Sequence, residues 1–308
     1  MTDVLLIDPD ADIYAAGIAE ALPDVRVHTD PGSASAAQVV VALAHAIDAG
    51  LVRALPDLRF IQALTTGTDH LDALPLKPGV AIASARGIHG PQMAEMAFLH
   101  MLALARDFPA MRDNQVRRAW VRWPQRLLFG KTVVLVGLGA IAEALAPRCQ
   151  AFGMRVVGVS DGRPQAPGCD IVLPRGALTQ AAGMADFLVV LVPLAPATER
   201  LIDAAVLAAM KPDGMLINLA RGRVVDETAL IAGLRAGRPA GAGLDVFETE
   251  PLPPDSPLWT MPNVVVTPHL GGMSDIYARQ ALPLVIDNLR IWRQGNPEQL
   301  RNLVRIVA

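Results

Sequence analysis

A glycine-rich turn near the middle of the chain carries the clearest chemical signal in the sequence. The apolar residues 132–136 lead directly into Gly137-Leu138-Gly139-Ala140-Ile141-Ala142, where a helical pattern begins. Glycines let a backbone turn tightly beside phosphates, and a helix N-terminus offers free N–H groups and a partial positive charge. This order of strand, turn and helix predicts a dinucleotide pyrophosphate site, with candidate contacts from Gly137, Gly139, Ala140 and Ile141.

The residues after the next predicted strand bear on the type of dinucleotide. The chain reads Val159-Ser160-Asp161-Gly162-Arg163. An acid here accepts hydrogen bonds from the 2′-hydroxyl of NAD, whereas serine or arginine accommodates the extra phosphate of NADP. Asp161 repels that phosphate, while Ser160 and Arg163 accept it, and Asp161 has the alternative role of shaping a turn. The sequence therefore predicts NAD(H) or NADP(H) without choosing between them.

Two further side chains follow short apolar runs and have the chemistry to bind a carboxylate and to transfer a proton. Arg221 comes just after residues 215–219, and its planar guanidinium can bind a carboxylate through two parallel N–H bonds. His269 follows residues 264–266 and can donate a proton to a ketone oxygen or take one back. Because ligands bind at the carboxyl edge of doubly wound sheets, both are candidate site residues.

These residues need a scaffold that positions them, and an alternation of strands and helices supplies it. Short apolar runs separated by helix-compatible stretches predict an α/β protein with parallel sheets covered on both faces. The predicted strands are residues 4–7, 25–27, 39–42, 60–64, 80–83, 132–136, 154–159, 187–192, 215–219, 243–247 and 264–266.

The central position of the glycine turn indicates that a nucleotide-binding domain is inserted into another domain. A long helix over residues 90–106 is interpreted as a bridge between the domains, and a final helix from about 274 to 293 leads back to the first one. We therefore place the nucleotide-binding domain at residues 95–277 and the substrate domain at residues 1–94 and 278–308.

Three motifs downstream of the glycine turn resemble, in order and spacing, those of the D-2-hydroxyacid dehydrogenase family. They are Ile217-Asn218-Leu219-Ala220-Arg221-Gly222, Leu244-Asp245-Val246-Phe247-Glu248-Thr249-Glu250-Pro251 and Thr267-Pro268-His269-Leu270-Gly271-Gly272. The resemblance runs from about residue 60 to the end of the sequence. It implies two doubly wound parallel-sheet domains, with a Rossmann nucleotide-binding domain inserted into a flavodoxin-like substrate domain, and it implies a homodimer.

The resemblance also implies catalytic roles. Arg221 would orient the substrate, His269 would act as the acid and base, and Glu250 would favour the charged imidazole. Glu248 is a nearby competitor for that last role. Asp245 would contact the nicotinamide carboxamide, with a cap after the strand as its alternative role.

Two other segments gain roles in the same way. Pro193 would pass beside the adenosine half of the coenzyme. The main-chain N–H groups of Thr66, Gly67 and Thr68 would hold the substrate carboxylate, with an ordinary strand-end turn as the alternative. The run Ser84-Ala85-Arg86-Gly87 departs from the usual N-x-P-G, so the role of Arg86 stays open.

The expected activity is reversible hydride transfer between NAD(P) and a short 2-oxo or D-2-hydroxy acid, with glyoxylate or hydroxypyruvate as the first guess. A nucleotide-sensing binding protein or corepressor on the same fold is the alternative, although it need not keep Arg221, Glu250 and His269 together. Formate dehydrogenase, a relative, pairs its histidine with glutamine, so Glu250 disfavours it. The physiological direction stays open.

Composition limits the other possibilities. The chain has 308 residues, of which 52% are hydrophobic. Its net charge of −3 gives no electrostatic reason to expect nucleic acid or membrane partners. Its two cysteines suit a reducing cytoplasm, where we expect the protein to reside. No metal is expected, because His70, His89 and His100 lack tight ligand spacing with carboxylates.

Overall fold

Two parallel sheets divide the chain into two units in the computed structural model, which describes residues 2–308. Met1–Ile88 and Ser274–Ala308 form one unit, called here the terminal unit. His89–Met273 form the other, called the inserted unit. The divisions fall six and four residues earlier than the sequence analysis placed them.

The first part of the terminal unit alternates strands and helices. Its strands are β1 (Thr2–Ile7), β2 (Val25–His28), β3 (Val39–Ala42), β4 (Phe60–Ala63) and β5 (Ala81–Ala83). Helix α1 (Ala11–Ala21) follows β1, and α2 (Ala49–Ala54) follows β3. The five strands pair in parallel.

The inserted unit contains seven strands in one parallel sheet. They are β6 (Thr132–Val136), β7 (Arg155–Val159), β8 (Ile171–Leu173), β9 (Phe187–Val190), β10 (Met215–Asn218), β11 (Gly241–Leu244) and β12 (Val264–Val266). The helices are α3 (Gly90–Arg106), α4 (Phe108–Val116), α5 (Ala140–Ala151), α6 (Leu178–Met184), α7 (Ala204–Ala209) and α8 (Glu227–Arg235). The strand order β12-β11-β10-β9-β6-β7-β8 is that of a Rossmann sheet with one added edge strand.

The chain returns to the terminal unit through α9 (Tyr277–Arg293) and β13 (Leu303–Ile306). The completed sheet has the order β13-β5-β4-β3-β1-β2. Its five parallel strands have the flavodoxin-like order, and β13 pairs antiparallel to β5 at the edge. The predicted fold class is therefore confirmed for both units.

Strands in both sheets are apolar because each is covered on two faces. In β6, Val133 and Leu135 join one hydrophobic core of the inserted unit, while Val134 and Val136 join the other. Alternate residues of β3 divide in the same way between the two cores of the terminal unit.

The structure corrects three expectations. The α3 helix is part of the inserted unit and packs on α5, so close that a Cβ on Gly90 would lie 2.9 Å from the Cβ of Ala144; it is not a bridge. Strand β11 ends at Leu244, which leaves residues 245–247 in a loop. Strands β8 and β13 were not predicted; both are short edge strands in which no residue is buried.

None of the helices in the described part of the chain has both the length and the apolar composition that a bilayer crossing requires.

Candidate active site

His269 lies in the loop after β12, in contact with a carboxylate. Its Nδ1 is 2.6 Å from Oε2 of Glu250, and its side chain is exposed. The residue has a left-handed backbone (φ +53°), which few residues other than glycine adopt, and its N–H donates to the Asp245 carbonyl at 2.9 Å. Because Glu250 accepts at Nδ1, that nitrogen carries a proton and Nε2 is free to exchange one with a ligand.

Glu250 is held by both of its oxygens. Oε1 accepts the N–H of Phe247 at 3.0 Å, and Oε2 accepts from His269. Burial raises the pKa of Glu250, but the hydrogen bonds from His269 and Phe247 and the positive charges of His269 and Arg221 outweigh it. The net pKa lies below the usual value for glutamate, so the side chain is ionised at neutral pH.

Arg221 follows β10 in a loop that a buried asparagine shapes. The Asn218 amide oxygen accepts the N–H of Ala220 at 3.1 Å, and its nitrogen donates to the Arg221 carbonyl at 3.2 Å. Arg221 itself donates to the carbonyl of Ala220 at 2.9 Å. The sequence analysis did not assign Asn218 a role, although an amide that ends an apolar strand is a signal that could have found it.

Gly222 lets the loop that carries Arg221 pack directly against the loop that carries Glu250. A Cβ added at Gly222 would lie 1.8 Å from the Phe247 carbonyl carbon and 2.3 Å from the Glu248 nitrogen. No side chain fits between these two stretches of backbone. The absence of a Cβ therefore sets the spacing between Arg221 and Glu250.

Asp245 ties the histidine loop to the end of β11. The residue is 2% exposed, and its carboxylate accepts from the Thr267 hydroxyl at 2.5 Å, from Leu270 N–H at 2.9 Å and from Gly271 N–H at 2.8 Å. Its predicted contact with the nicotinamide carboxamide stays a prediction.

The glycine turn fits the pyrophosphate of a dinucleotide. Gly137 has φ +101°, and a Cβ there would lie 3.0 Å from the nitrogen of Val192, in the loop that continues to Pro193. Gly139 caps α5 with extended backbone, and open space surrounds the position of its missing Cβ. The N–H groups of Ala140 and Ile141 begin the helix and have no intrahelical acceptors, so they can bind phosphate.

The residues after β7 form exposed ion pairs. Asp161 Oδ1 accepts the N–H of Arg175 at 2.7 Å, and its Oδ2 lies 3.2 Å from Arg175 Nε. Arg163 pairs with Glu143 of α5. Ser160 donates its N–H to the Leu173 carbonyl at the end of β8. Arg175 was not predicted as a neighbour of Asp161, because no local sequence pattern connects the two residues.

The predicted carboxylate loop of the terminal unit follows β4. Thr65 Oγ1 donates to the Gly67 carbonyl at 2.7 Å, and Ala85 N–H donates to the Thr65 carbonyl at 2.8 Å. Thr66 is exposed and Thr68 is buried. The side chain of Arg86 is exposed, and the role of this loop in substrate binding stays a prediction.

Comparisons with known proteins identify the family of the chain. Residues 98–271 match the family described as D-isomer specific 2-hydroxyacid dehydrogenase, NAD binding domain. A glyoxylate reductase from Korarchaeum cryptofilum is 34% identical over 273 residues, which cover 86% of this chain and 82% of that protein.

Two solved structures are similar over nearly the whole chain. A D-isomer specific 2-hydroxyacid dehydrogenase family protein from Aeromonas salmonicida has a TM-score of 0.89 and 32% identity, and the match covers 99% of each chain. An NADPH-dependent glyoxylate/hydroxypyruvate reductase from Sinorhizobium meliloti, solved with NADP and sulfate, has a TM-score of 0.84 and 28% identity over 99% of this chain and 98% of that chain. The chain is therefore an NAD(P)-dependent oxidoreductase that belongs to the D-isomer specific 2-hydroxyacid dehydrogenase family.

Proposed function

We propose that the protein interconverts a short 2-oxo acid and its D-2-hydroxy acid, with glyoxylate and hydroxypyruvate as the first candidate substrates. The contact between His269 Nδ1 and Glu250, with the positive charge of Arg221 acting on the same carboxylate, carries this proposal. The similarity to a glyoxylate reductase and to a glyoxylate/hydroxypyruvate reductase supports the choice of substrate.

The chain's own residues would bind the oxo acid and move one proton. Arg221 would hold the carboxylate through two N–H bonds. A nicotinamide coenzyme, when bound, would supply the hydride for the carbonyl carbon. As the C=O double bond becomes single, Nε2 of His269 would donate its proton to the oxygen, and in the oxidation the same nitrogen would take that proton back. Glu250, ionised beside Nδ1, would stabilise the imidazolium that donates it.

The terminal unit would contribute to substrate binding in this proposal. Main-chain N–H groups of Thr66, Gly67 and Thr68 would donate to the substrate carboxylate, since glycine lets the backbone approach an anion closely. Asp245 and Pro193 would contact the nicotinamide and adenosine ends of the coenzyme.

Between the two coenzymes, the charges after β7 favour NADPH. Arg175 offsets the negative charge of Asp161, which would otherwise repel a 2′-phosphate. Ser160 and Arg163 lie in the same segment and suit a phosphate. The related reductase solved with NADP is consistent with this preference.

The proposal is tested by following NADH and NADPH oxidation separately with glyoxylate, hydroxypyruvate, pyruvate and phenylpyruvate. We expect turnover with at least one 2-oxo acid, faster with NADPH, and a D-configured product by chiral chromatography. Coenzyme binding without turnover of any of these acids would instead favour a nucleotide-sensing protein or corepressor.

A homodimer formed through the inserted unit is also proposed. From the start of α4 to the loop before β6 the chain exposes several large apolar side chains, and Trp120 is 88% exposed. These residues are Phe108, Val116, Trp120, Val121, Leu127 and Phe129. Exposed apolar surface of this kind is typical of protein interfaces. Light scattering should give twice the mass of 32.7 kDa, and a monomer at micromolar concentration would contradict the proposal.

A cytoplasmic location is proposed from the two free cysteines.

A further inference from the structure

A buried histidine on α3 contacts the loop that carries His269, although the proposed reaction gives it no role. His100 is fully buried, and its Nε2 lies 3.1 Å from Oγ1 of Thr267. Gly243 of β11 makes room for the ring, since a Cβ added there would lie 2.7 Å from Cβ, Cγ and Nδ1 of His100. The imidazole is therefore packed between α3 and β11, next to the loop that carries Thr267 and His269.

Hydrogen-bond chemistry fixes the direction of this contact. An ionised carboxylate only accepts, so the Thr267 hydroxyl donates its proton to Oδ1 of Asp245 across 2.5 Å. The hydroxyl then offers His100 only lone pairs, and the proton of the imidazole must sit on Nε2. The other ring nitrogen, Nδ1, has no hydrogen-bond partner within residues 2–308.

The ring is neutral under ordinary conditions. Burial lowers the pKa of His100 to about 4, although the negative charge of Asp245 acts in the opposite direction. An imidazole with one unpaired buried nitrogen costs free energy that an apolar side chain of similar size avoids. Packing alone gives no reason for a histidine here.

The two successive hydrogen bonds, from His100 to Thr267 and from Thr267 onward, end on the carboxylate of Asp245. Oδ1 accepts from Thr267 and Leu270, and Oδ2 accepts from Gly271. A carboxylate has about four acceptor positions. Within residues 2–308, these three bonds thus leave one acceptor position on Oδ2 without a donor.

We propose that His100 is a positioning residue for the nicotinamide end of the coenzyme. Acting through Thr267, it fixes the rotation of the Asp245 carboxylate, so that the remaining position on Oδ2 accepts an N–H of the carboxamide. This inference rests on the proposed function, since it takes the surroundings of His269 and Asp245 to be the nicotinamide site.

Coenzyme binding by calorimetry tests the proposal with a matched pair of ligands. NADPH is compared with 2′-phospho-ADP-ribose, and NADH with ADP-ribose, because the second member of each pair lacks only the nicotinamide. The variants are His100→Leu, which removes the donor, and His100→Gln, whose amide N–H can replace Nε2–H. Met101→Leu, a buried and volume-conserving change on the same helix, is the control.

The expected result is selective. His100→Leu should weaken binding of the nicotinamide-containing ligand by about five- to tenfold, the equivalent of about one hydrogen bond. Binding of the ligand without nicotinamide should change less than about twofold, and His100→Gln should recover most of the loss. Equal losses for both members of a pair, or no loss, would overturn the inference while leaving the proposed function intact. Failure of the wild type to bind either coenzyme would overturn both.

Two measurements keep the test decisive if His100→Leu does not fold. Thr267→Val keeps the shape of the side chain but removes the hydroxyl that links His100 to Asp245. It should therefore give the same selective loss. Nitrogen NMR of the histidine rings, with His100 assigned by comparison with His100→Gln, should show the proton on Nε2. A proton on Nδ1 would contradict the chain of donors.

Discussion

The loops around His269 and the segment after β7 lie at the carboxyl edge of the same sheet, but different forces hold them. The loops after β11 and β12 are connected by hydrogen bonds to the Asp245 carboxylate, and those after β10 and β11 by direct backbone contact at Gly222. Within the loop after β10, the Asn218 side chain holds the backbone of Ala220 and Arg221. The segment after β7 is connected to its neighbours mainly by exposed ion pairs of Asp161 and Arg163. Buried, closely packed contacts hold the loops in one geometry. Exposed ion pairs contribute little to stability, so their residues can be substituted at small cost. The acid/base end of the site is therefore expected to be rigid, and the coenzyme-selecting end adjustable.

The largest effect is expected from His269→Ala. Removing the proposed acid/base should lower kcat by about 10²–10⁴-fold, because the carbonyl oxygen would lose its positioned proton donor. Coenzyme affinity, measured by fluorescence titration, should stay within about twofold, since the change leaves the glycine turn intact. His45→Ala, at an exposed histidine of the terminal unit, is the control. Near-normal turnover in His269→Ala would refute the role.

Gly222→Ala should have the next largest effect. The added methyl group meets backbone on the opposite loop, which cannot rotate away, so we expect a loss of roughly 1–3 kcal/mol in the free energy of unfolding. A fall in kcat/KM should accompany it as Arg221 and Glu250 separate. Denaturant titration and steady-state kinetics measure the two effects. Gly176→Ala, where a Cβ meets open space, should be close to neutral in both; similar losses in the two variants would show that crowding is not the cause.

Glu250→Gln should lower kcat by about tenfold to a hundredfold, because a charge-assisted hydrogen bond to His269 becomes a neutral one. Glu248→Gln, the neighbouring acid, should stay within about twofold. An equal effect of the two changes would assign the role to neither carboxylate.

The same glutamate gives a pH dependence of stability. Its folded pKa is lowered, so its stabilising contribution is present above the usual glutamate pKa and is lost as the pH falls through the folded value. The difference in Tm between the wild type and Glu250→Gln should therefore shrink below pH ~4.5. A difference that grows in acid would contradict this assignment.

The smallest effect is expected from Arg175→Ala. Removing the partner of Asp161 frees the carboxylate to accept from a ribose hydroxyl and to repel a 2′-phosphate. The ratio of kcat/KM for NADPH to that for NADH should fall by about two- to tenfold, which is typical of exposed charges. Arg155→Ala, at the opposite end of β7, should leave this ratio unchanged. An unchanged ratio in Arg175→Ala would show that Arg175 does not affect coenzyme choice.

Sequence reasoning placed a side chain at the correct edge of the sheet where it follows within three residues of a strand end. Arg221 and His269 follow β10 and β12. Because parallel strands end at the same edge of a sheet, the sequence positions of these residues indicate that both lie at that edge. The same reasoning does not find Arg175 or the contact of His100 with Thr267. Those partners are 14 and 167 residues apart, and only tertiary packing brings them together.

The split of the terminal unit has a consequence for synthesis on the ribosome. Its sheet is completed only by β13, and its helix layer only by α9, whereas every strand of the inserted unit has been made by Val266. The nascent chain can therefore complete one folding unit while the first 88 residues still lack their closing helix and edge strand. During that interval the free edge of β5 is open to pairing with other strands, so translation speed and chaperone access over the last 35 residues should affect yield more than comparable changes within the inserted unit.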